Sequence, residues 1–345
     1  MSTTLLDVEA LRRRFSSLAG GFAFFDAPGG TQVPDEVGAA IARALRDASG
    51  NLGAPYATGR AVESILAQAK DDAARLLGST PDEISFGTNM TTLNFALSRT
   101  ASRDFREGDE ILVTQLDHDG GVAPWVELAA DKGLVVRTVE ATDEYLVDYD
   151  DLESKLSDRT RVVAFAWASN ATGSVADAAR ICALAREAGA LSWIDAVHYA
   201  AHEPIDVRAI GADVLLCSPY KFCGPHLGIA ALRAEIAERW RPYKARPSSS
   251  KPLGRRFETG TPAFELLAGF SATIAYLDSF GGIEAAKAYE HVLAERFLEG
   301  LPENVEVYGD RSLEQRVPTF LVNVEGVPAS TVATTLAELA ALRPS

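Results

Sequence analysis

Two residues in this sequence have the types and the spacing to do chemistry together. Asp195 closes the apolar run Leu191–Asp195, and Lys221 follows the next apolar run, 26 positions later, in Ser218-Pro219-Tyr220-Lys221. If those runs are neighbouring parallel strands, both side chains come to one edge of a sheet. A lysine amine forms a Schiff base with an aldehyde. A nearby carboxylate keeps a pyridine nitrogen protonated, so that the ring takes up electrons from a carbanion. The pair fits pyridoxal phosphate, with Lys221 as the amine and Asp195 as the ring's partner. Singly, each is ordinary: a surface lysine and a strand-end turn aspartate.

Polar residues recur where other apolar runs stop: Gly87-Thr88-Asn89, Asp117-His118-Asp119 and Ser169-Asn170. Ligands of parallel sheets sit at the carboxyl ends of strands, so five such junctions point to one site. His118 brings a flat imidazole that titrates near neutrality and suits both stacking and proton relay. Its ordinary alternative is a loop histidine facing solvent. Gly87-Thr88-Asn89 precedes a helical pattern from Met90 to Ser98. Free N–H groups at a helix start bind phosphate, and glycine permits close approach, although the same turn also serves as a plain helix cap.

The elements that must position these residues alternate along the chain. Strand candidates are Glu110–Gln115, Val135–Val139, Arg161–Ala168, Leu191–Asp195, Asp213–Cys217 and Ile229–Arg233, apolar almost throughout, as for strands covered on both faces. Helix candidates include Ala61–Leu77 and Ala176–Ala188, the latter ended by Gly189, and a short helix is expected over Val207–Ile210. Strands alternating with helices predict an α/β fold with a mostly parallel central sheet. After about residue 245 the pattern changes. The loop from Arg246 to Pro252 precedes helical patterns over Pro262–Phe280 and Ile283–Leu301. Strand candidates follow at Val305–Tyr308 and Thr319–Val324, then a helix at Ala329–Leu342. The expected organisation is an N-terminal helical segment (1–20), a large cofactor-binding domain (21–261), and linking helices with a small α+β domain (262–345).

The motifs together resemble the cysteine desulfurase-like branch of the class V aminotransferases, which are fold-type I pyridoxal-phosphate enzymes. The resemblance is carried by Phe25–Thr31, Tyr56–Arg60, Phe86–Asn94, Asp117–Trp125, Ala168–Gly173, the Asp195–Lys221 block and Arg256–Pro262, in the family's order. It implies a three-layer fold-type I large domain and an amino-acid substrate. Residue by residue, it implies that Lys221 forms the Schiff base and acts as base, that Asp195 partners the ring nitrogen, and that His118 stacks on the ring. Gly87, Thr88, Asn89 and Ser218 then bind phosphate, with Tyr220 where the family has a histidine beside the lysine. Asn170 lies near the phenolic oxygen and the substrate carboxylate. His198 stands where desulfurases place a glutamine on that oxygen. Thr261 matches a residue that reaches the phosphate of a neighbouring subunit, which implies a homodimer with sites at its interface. Asp26–Gly30 resembles a substrate-side loop, or is a plain Pro-Gly turn. Arg60 is either a ligand for the substrate carboxylate or an ordinary exposed arginine, and Arg256 either structural or a phosphate-side cation.

Composition bounds the rest. The chain has 345 residues, enough for two domains at about 150 residues each. With 33 basic and 48 acidic residues its net charge is −15, which argues against broad binding to nucleic acid or anionic membrane. No uncharged apolar run reaches the roughly 18 residues of a membrane helix, and the first residues lack a signal-peptide pattern. Cys182, Cys217 and Cys223 form no disulfide scaffold and no zinc motif, so no metal is expected, and free thiols fit the cytoplasm.

The likeness stops at sulfur. A desulfurase carries the substrate sulfur on a mobile cysteine of the small domain, and none of the three cysteines matches it. The family's carboxylate-binding arginine lies in that region too, so the small domain is expected to be incomplete. This leaves open a C–S lyase, an epimerase or an aminotransferase, which need no such cysteine. It also leaves open a non-catalytic homologue that binds or regulates a partner.

Overall fold

The computed structural model describes residues 6–245 and 251–340. Residues 246–250 of the expected loop, and Ala341 and Leu342 of the expected last helix, lie outside the described residues.

Seven strands form the main sheet: β1 (Ile84–Gly87), β2 (Glu110–Thr114), β3 (Val135–Val139), β4 (Thr160–Ala166), β5 (Leu191–Asp195), β6 (Val214–Cys217) and β7 (Gly228–Leu232). Their order is β1-β7-β6-β5-β4-β2-β3. The pairs β2–β3, β2–β4, β4–β5 and β5–β6 are parallel. Only β7 runs against its neighbours β1 and β6. The sheet is mostly parallel, as the alternation of strands and helices predicts, and Asp195 and Cys217 end adjacent strands on one edge.

Eleven α-helices accompany it among the described residues: α1 (Val8–Arg12), α2 (Asp35–Asp47), α3 (Ala57–Leu77), α4 (Met90–Ala101), α5 (Asp119–Lys132), α6 (Tyr149–Lys155), α7 (Ala178–Glu187), α8 (Ala234–Ala237), α9 (Phe264–Asp278), α10 (Gly282–Glu299) and α11 (Ala329–Ala340). Strand side chains alternate between the two faces of the sheet. Val163, Phe165, Ile194 and Leu215 meet Leu66 of α3, Ile181 of α7 and Phe270 of α9 in one core. Val162, Ala164, Trp193 and Leu216 meet Leu97 of α4 and Trp125 of α5 in the other. The result is three layers, helix–sheet–helix. Among the described residues no single helix is long and apolar enough to cross a membrane.

Two local expectations are corrected. β3 is an edge strand, with Val139 buried but Val135 40 % exposed, so its apolar run does not mean cover on both faces. Residues 207–210 form a turn rather than a short helix. The Asp206 carboxylate accepts from the N–H groups of Arg208 and Ala209, and Gly211, at φ 68°, ends the turn before another helical bond forms.

After the sheet, α9 packs on α2 and α3 through Leu267, Phe270 and Ile274. Beyond α10, β8 (Val305–Tyr308) and β9 (Leu321–Val324) make an antiparallel pair, followed by α11. The connection between β8 and β9 returns to the large sheet. Val175 N–H donates to Gln315 O at 2.9 Å, Val317 N–H to Gly173 O at 2.9 Å, and Arg316 Nη2 to Thr172 O at 2.7 Å.

Candidate active site

A cleft of about 520 Å³, its open mouth included, lies at the carboxyl edge of the sheet. It is lined by Asn89, His118, Asn170, Asp195, His198, Ser218, Tyr220 and Lys221, with Met90, Thr91, Ala166, Ala168 and Val197 between them. The sequence expectations thus converge on one place. Four do not line it. Gly87 and Thr88 stop short of the wall, Thr261 is exposed elsewhere, and exposed Arg60 turns back to donate to the Pro55 carbonyl.

Each lining residue has a structural cause. Asp195 is the last residue of β5, and its carboxylate accepts from the Val197 N–H at 2.9 Å. Burial pushes this carboxyl up to about 7; the Val197 bond opposes that, the Asp117 charge adds to it, and Lys221 opposes it. Lys221 ends a single 3₁₀ turn after β6, where Pro219 starts the turn. Its ammonium donates to the Pro28 carbonyl, and burial lowers its pKa from the ordinary lysine value while Asp195 raises it. Pro28 belongs to the Asp26–Gly30 loop, which is fastened beside the lysine. Thr31 N–H donates to Tyr220 O at 2.9 Å, and Cys223 N–H to Thr31 Oγ1 at 2.7 Å. Gly30 at φ 145° brings that loop against the Tyr220 ring, which in turn stacks on His226 with centroids 5.1 Å apart.

The opening of α4 forms another wall. Asn89 caps the helix by accepting from Thr92 N–H at 2.8 Å, and Ser218 Oγ accepts from Met90 N–H at 3.2 Å. The Thr91 N–H has no partner among the described residues and faces no competing carbonyl of its own helix. The glycines here serve packing. A Cβ on Gly87 would overlap the Leu93 side chain at 2.6 Å, so that glycine also lets α4 pack against β1. Gly228 of β7 makes room for the cap itself, since a Cβ there would lie 2.4 Å from Asn89 C.

His118 caps α5, its Nδ1 accepting from the Gly120 N–H at 2.9 Å, so the neutral ring carries its proton on Nε2. Asp117 fixes the turn. Its carboxylate accepts from Thr114 N–H and Thr114 Oγ1, both at 2.7 Å, and from Ala166 N–H at 2.6 Å, which ties β2 to β4; burial pushes its pKa up to about 6. Asn94 locks the same corner by donating to Gly120 O at 3.0 Å and accepting from Trp193 Nε1 at 2.9 Å.

His198 is 5 % exposed, with Nε2 at 2.7 Å from Thr319 Oγ1 and Nδ1 buried without a partner. Burial, with His202 and Lys221 nearby, pushes its pKa down to about 3, so the ring is neutral. Arg256 is structural, since its guanidinium donates to Glu238 O at 3.0 Å and Trp240 O at 2.6 Å. Sequence reasoning missed Asp117 as a strut, and missed Thr319 altogether. The Asp-His dipeptide signalled the former; nothing local signalled the latter, which lies 121 positions from its partner.

The donor set suits a flat anionic cofactor with an aldehyde: an amine, a carboxyl that holds a proton near neutrality, an unpartnered imidazole nitrogen, and a helix N-terminus beside two hydroxyls. Among the described residues no group of three His, Cys, Asp or Glu side chains is placed to hold a metal ion.

Known proteins place this arrangement. The family profile "Aminotransferase class-V" matches residues 23–343. A probable cysteine desulfurase 2 of Mycobacterium leprae is 32% identical over 361 residues, covering 95% of this chain and 84% of that protein. An aminotransferase-like protein of Gibberella zeae is 30% identical over 352 residues, covering 96% and 85%. Among solved structures, the apo cysteine desulfurase of Thermococcus onnurineus superposes with a TM-score of 0.90 at 26% identity, covering 99% of this chain and 88% of that one. The chain therefore belongs to the aminotransferase class-V family, whose enzymes depend on pyridoxal phosphate, and stands among its cysteine desulfurase-like members.

Proposed function

We propose that this chain binds pyridoxal phosphate and acts on an amino acid in a cysteine desulfurase-like reaction, removing sulfur from L-cysteine or cleaving a related C–S bond. The observation that carries this reading is the convergence of Lys221 and Asp195 in one cleft from the ends of adjacent parallel strands. The partnerless Nδ1 of buried His198 also fits, because a group bound there supplies the polar partner that the protein alone does not. When bound, the cofactor supplies an electron sink for a carbanion at the substrate α-carbon.

The chain's own residues do the rest. Asp195, whose carboxyl already holds a proton near pH 7, pairs with the ring nitrogen. The Thr91 N–H at the start of α4 and the Ser218 Oγ bonded to Met90 N–H would hold the phosphate, with Tyr220 as a further lining hydroxyl. Lys221 Nζ, made less basic by burial, gives up its proton more readily than an exposed lysine and takes the α-proton. His118 Nε2 carries the proton that an imidazole at the cleft mouth exchanges with substrate. Asn170 takes the substrate carboxylate through its amide, and Arg60, in the first turn of α3, is the candidate cation of the expected set.

One observation favours a second reading. Burial pushes the Cys182 and Cys223 thiols up to about 11 and the Cys217 thiol higher still, so none of the three is a ready thiolate. A C–S lyase releases sulfide without a carrier thiol, and epimerisation or transamination needs none either. Product analysis separates the readings. Incubation with L-cysteine and a small thiol as sulfur acceptor yields alanine and the persulfide of that thiol from a desulfurase, but pyruvate, ammonia and sulfide from a lyase. Unchanged cysteine sinks both.

We further propose a cytoplasmic homodimer in which Thr261 reaches the partner's site. Thr261 is exposed and outside its own cleft, Phe25 is 89 % exposed in the single chain, and the cysteines are unpaired.

A further inference from the structure

Asn170 lines the cleft, yet its side chain makes no hydrogen bond to any described residue. Its place at the wall is therefore set by the backbone of the loop that carries it, residues 169–174. That loop is a narrow turn: Ser169 N–H donates to Ser174 O at 2.9 Å, and Gly173 N–H to Ser169 O at 3.0 Å. Ser169, Thr172 and Ser174 are buried, so the turn is covered. The cover is the connection between β8 and β9. Ser174 pairs with Arg316 in an antiparallel bridge. Gly173, at φ 78°, admits the connection, since a Cβ there would lie 2.4 Å from Thr319 O and 2.7 Å from Val317 O.

Arg316 is the side chain at the centre of this contact, and it is 5 % exposed. Among the described residues no carboxylate lies within ion-pair distance of it. Its guanidinium donates instead to carbonyls from two distant parts of the chain. Nη1 bonds Asp310 O, and Nη2 bonds both Thr172 O at 2.7 Å and Thr319 O at 2.8 Å. The Phe320 ring lies against it at 4.5 Å. Burying a cation without a counter-charge is unfavourable, and an apolar residue of similar volume avoids that cost. Such a residue would leave three carbonyls without their donor, and one of them, Thr172 O, is two positions from Asn170. A lysine brings one nitrogen where the carbonyls meet a planar fork.

We infer that Arg316 is a positioning residue for substrate binding: by joining Thr172 O to the 310–319 connection it fixes the loop that holds Asn170 at the cleft wall, and so sets the affinity for an α-carboxylate. This deepens the reading proposed above and rests on it. It gives the connection between β8 and β9 a part in substrate recognition, although Arg316 itself does not line the cleft.

Backbone hydrogen exchange of the cofactor-free protein, read by mass spectrometry, tests the clasp by itself. Arg316→Met is expected to speed exchange about tenfold over residues 169–175 while leaving β5 at the native rate. Unchanged exchange over 169–175, or an equal rise throughout the sheet, overturns the inference. With pyridoxal phosphate bound, the second readout is the concentration of L-cysteine that gives half of the absorbance change it causes. Loss of one hydrogen bond to a carboxylate predicts a rise of about tenfold in Arg316→Met and in Asn170→Ala. The double variant is expected to show no further rise, because the first residue acts through the second. Effects that add overturn the positioning role. If Arg316→Met does not fold, Arg316→Lys is expected to shift both readouts in the same direction by less, and a lysine variant equal to the native protein in both overturns the inference. If L-cysteine changes nothing in the native loaded protein, the substrate reading falls and this inference with it, while the exchange result shows whether the clasp exists.

Discussion

At the scale of single residues, the site depends on burial setting protonation. Asp195 is the clearest case. Its carboxyl pKa, pushed up to about 7, means that the folded protein keeps a proton which the unfolded chain releases near the ordinary carboxylate value of about 4. By linkage, the contribution of Asp195 to stability falls as pH rises through that window, and above about 7 the buried charge is fully unfavourable. Asparagine mimics the protonated form. Without pyridoxal phosphate, Asp195→Asn therefore melts above the native protein at pH 8, by an amount on the order of a few kcal/mol, and the difference shrinks toward pH 4. A difference independent of pH in thermal melts contradicts the assigned protonation. On the proposed reading, a ring nitrogen that shares the proton relieves the cost of the buried carboxylate. His198 follows the opposite sign. A neutral ring with its pKa lowered to about 3 favours the fold above the ordinary histidine value, and that contribution is lost as pH falls through the window below it.

At the scale of elements, the sequence is most readable where apolar pattern decides structure. The bounds of β3, β5 and β8 agree with the runs that predict them, and for β5 the cause is burial, since a buried strand must be apolar and the next turn must not. The strand-end residues were legible for the same reason: Asp195, Ser218, Lys221, His118 and Asn170 stand where a run stops, and the parallel sheet brings those stops together. Pattern fails where cover is decided by neighbours. β3 has the composition of an interior strand, but its place at the edge of the sheet order leaves it half covered. It fails also where the chain leaves a capped turn at once, as at Gly211 (φ 68°) after residues 207–210. The start of α4 agrees with the pattern that predicts it, whereas the position of Leu93 over Gly87 is a packing fact that no local pattern carries. The bond from Thr319 to His198 had no sequence signature, since a threonine two residues before a strand is commonplace and the contact is long-range. Asp117 was visible as part of a polar junction, but its tie to Ala166 depends on β2 lying beside β4.

At the scale of the whole molecule, the large sheet supplies the amine, the carboxyl and the helix N-terminus, while the C-terminal part contributes a clasp and a hydroxyl. Thr261 completes nothing in its own chain, and its exposure accords with a site built across two copies. Sedimentation at micromolar concentration is expected to return twice the 36.8 kDa of one chain, and a single-chain mass contradicts the proposed homodimer. The central claim is that Lys221 and Asp195 hold pyridoxal phosphate in one cleft. Its most direct test is the absorbance of the purified protein titrated with pyridoxal phosphate. The native protein is predicted to gain a near-visible band that Lys221→Ala lacks; no such band in the native protein, or an unchanged band in Lys221→Ala, contradicts the account.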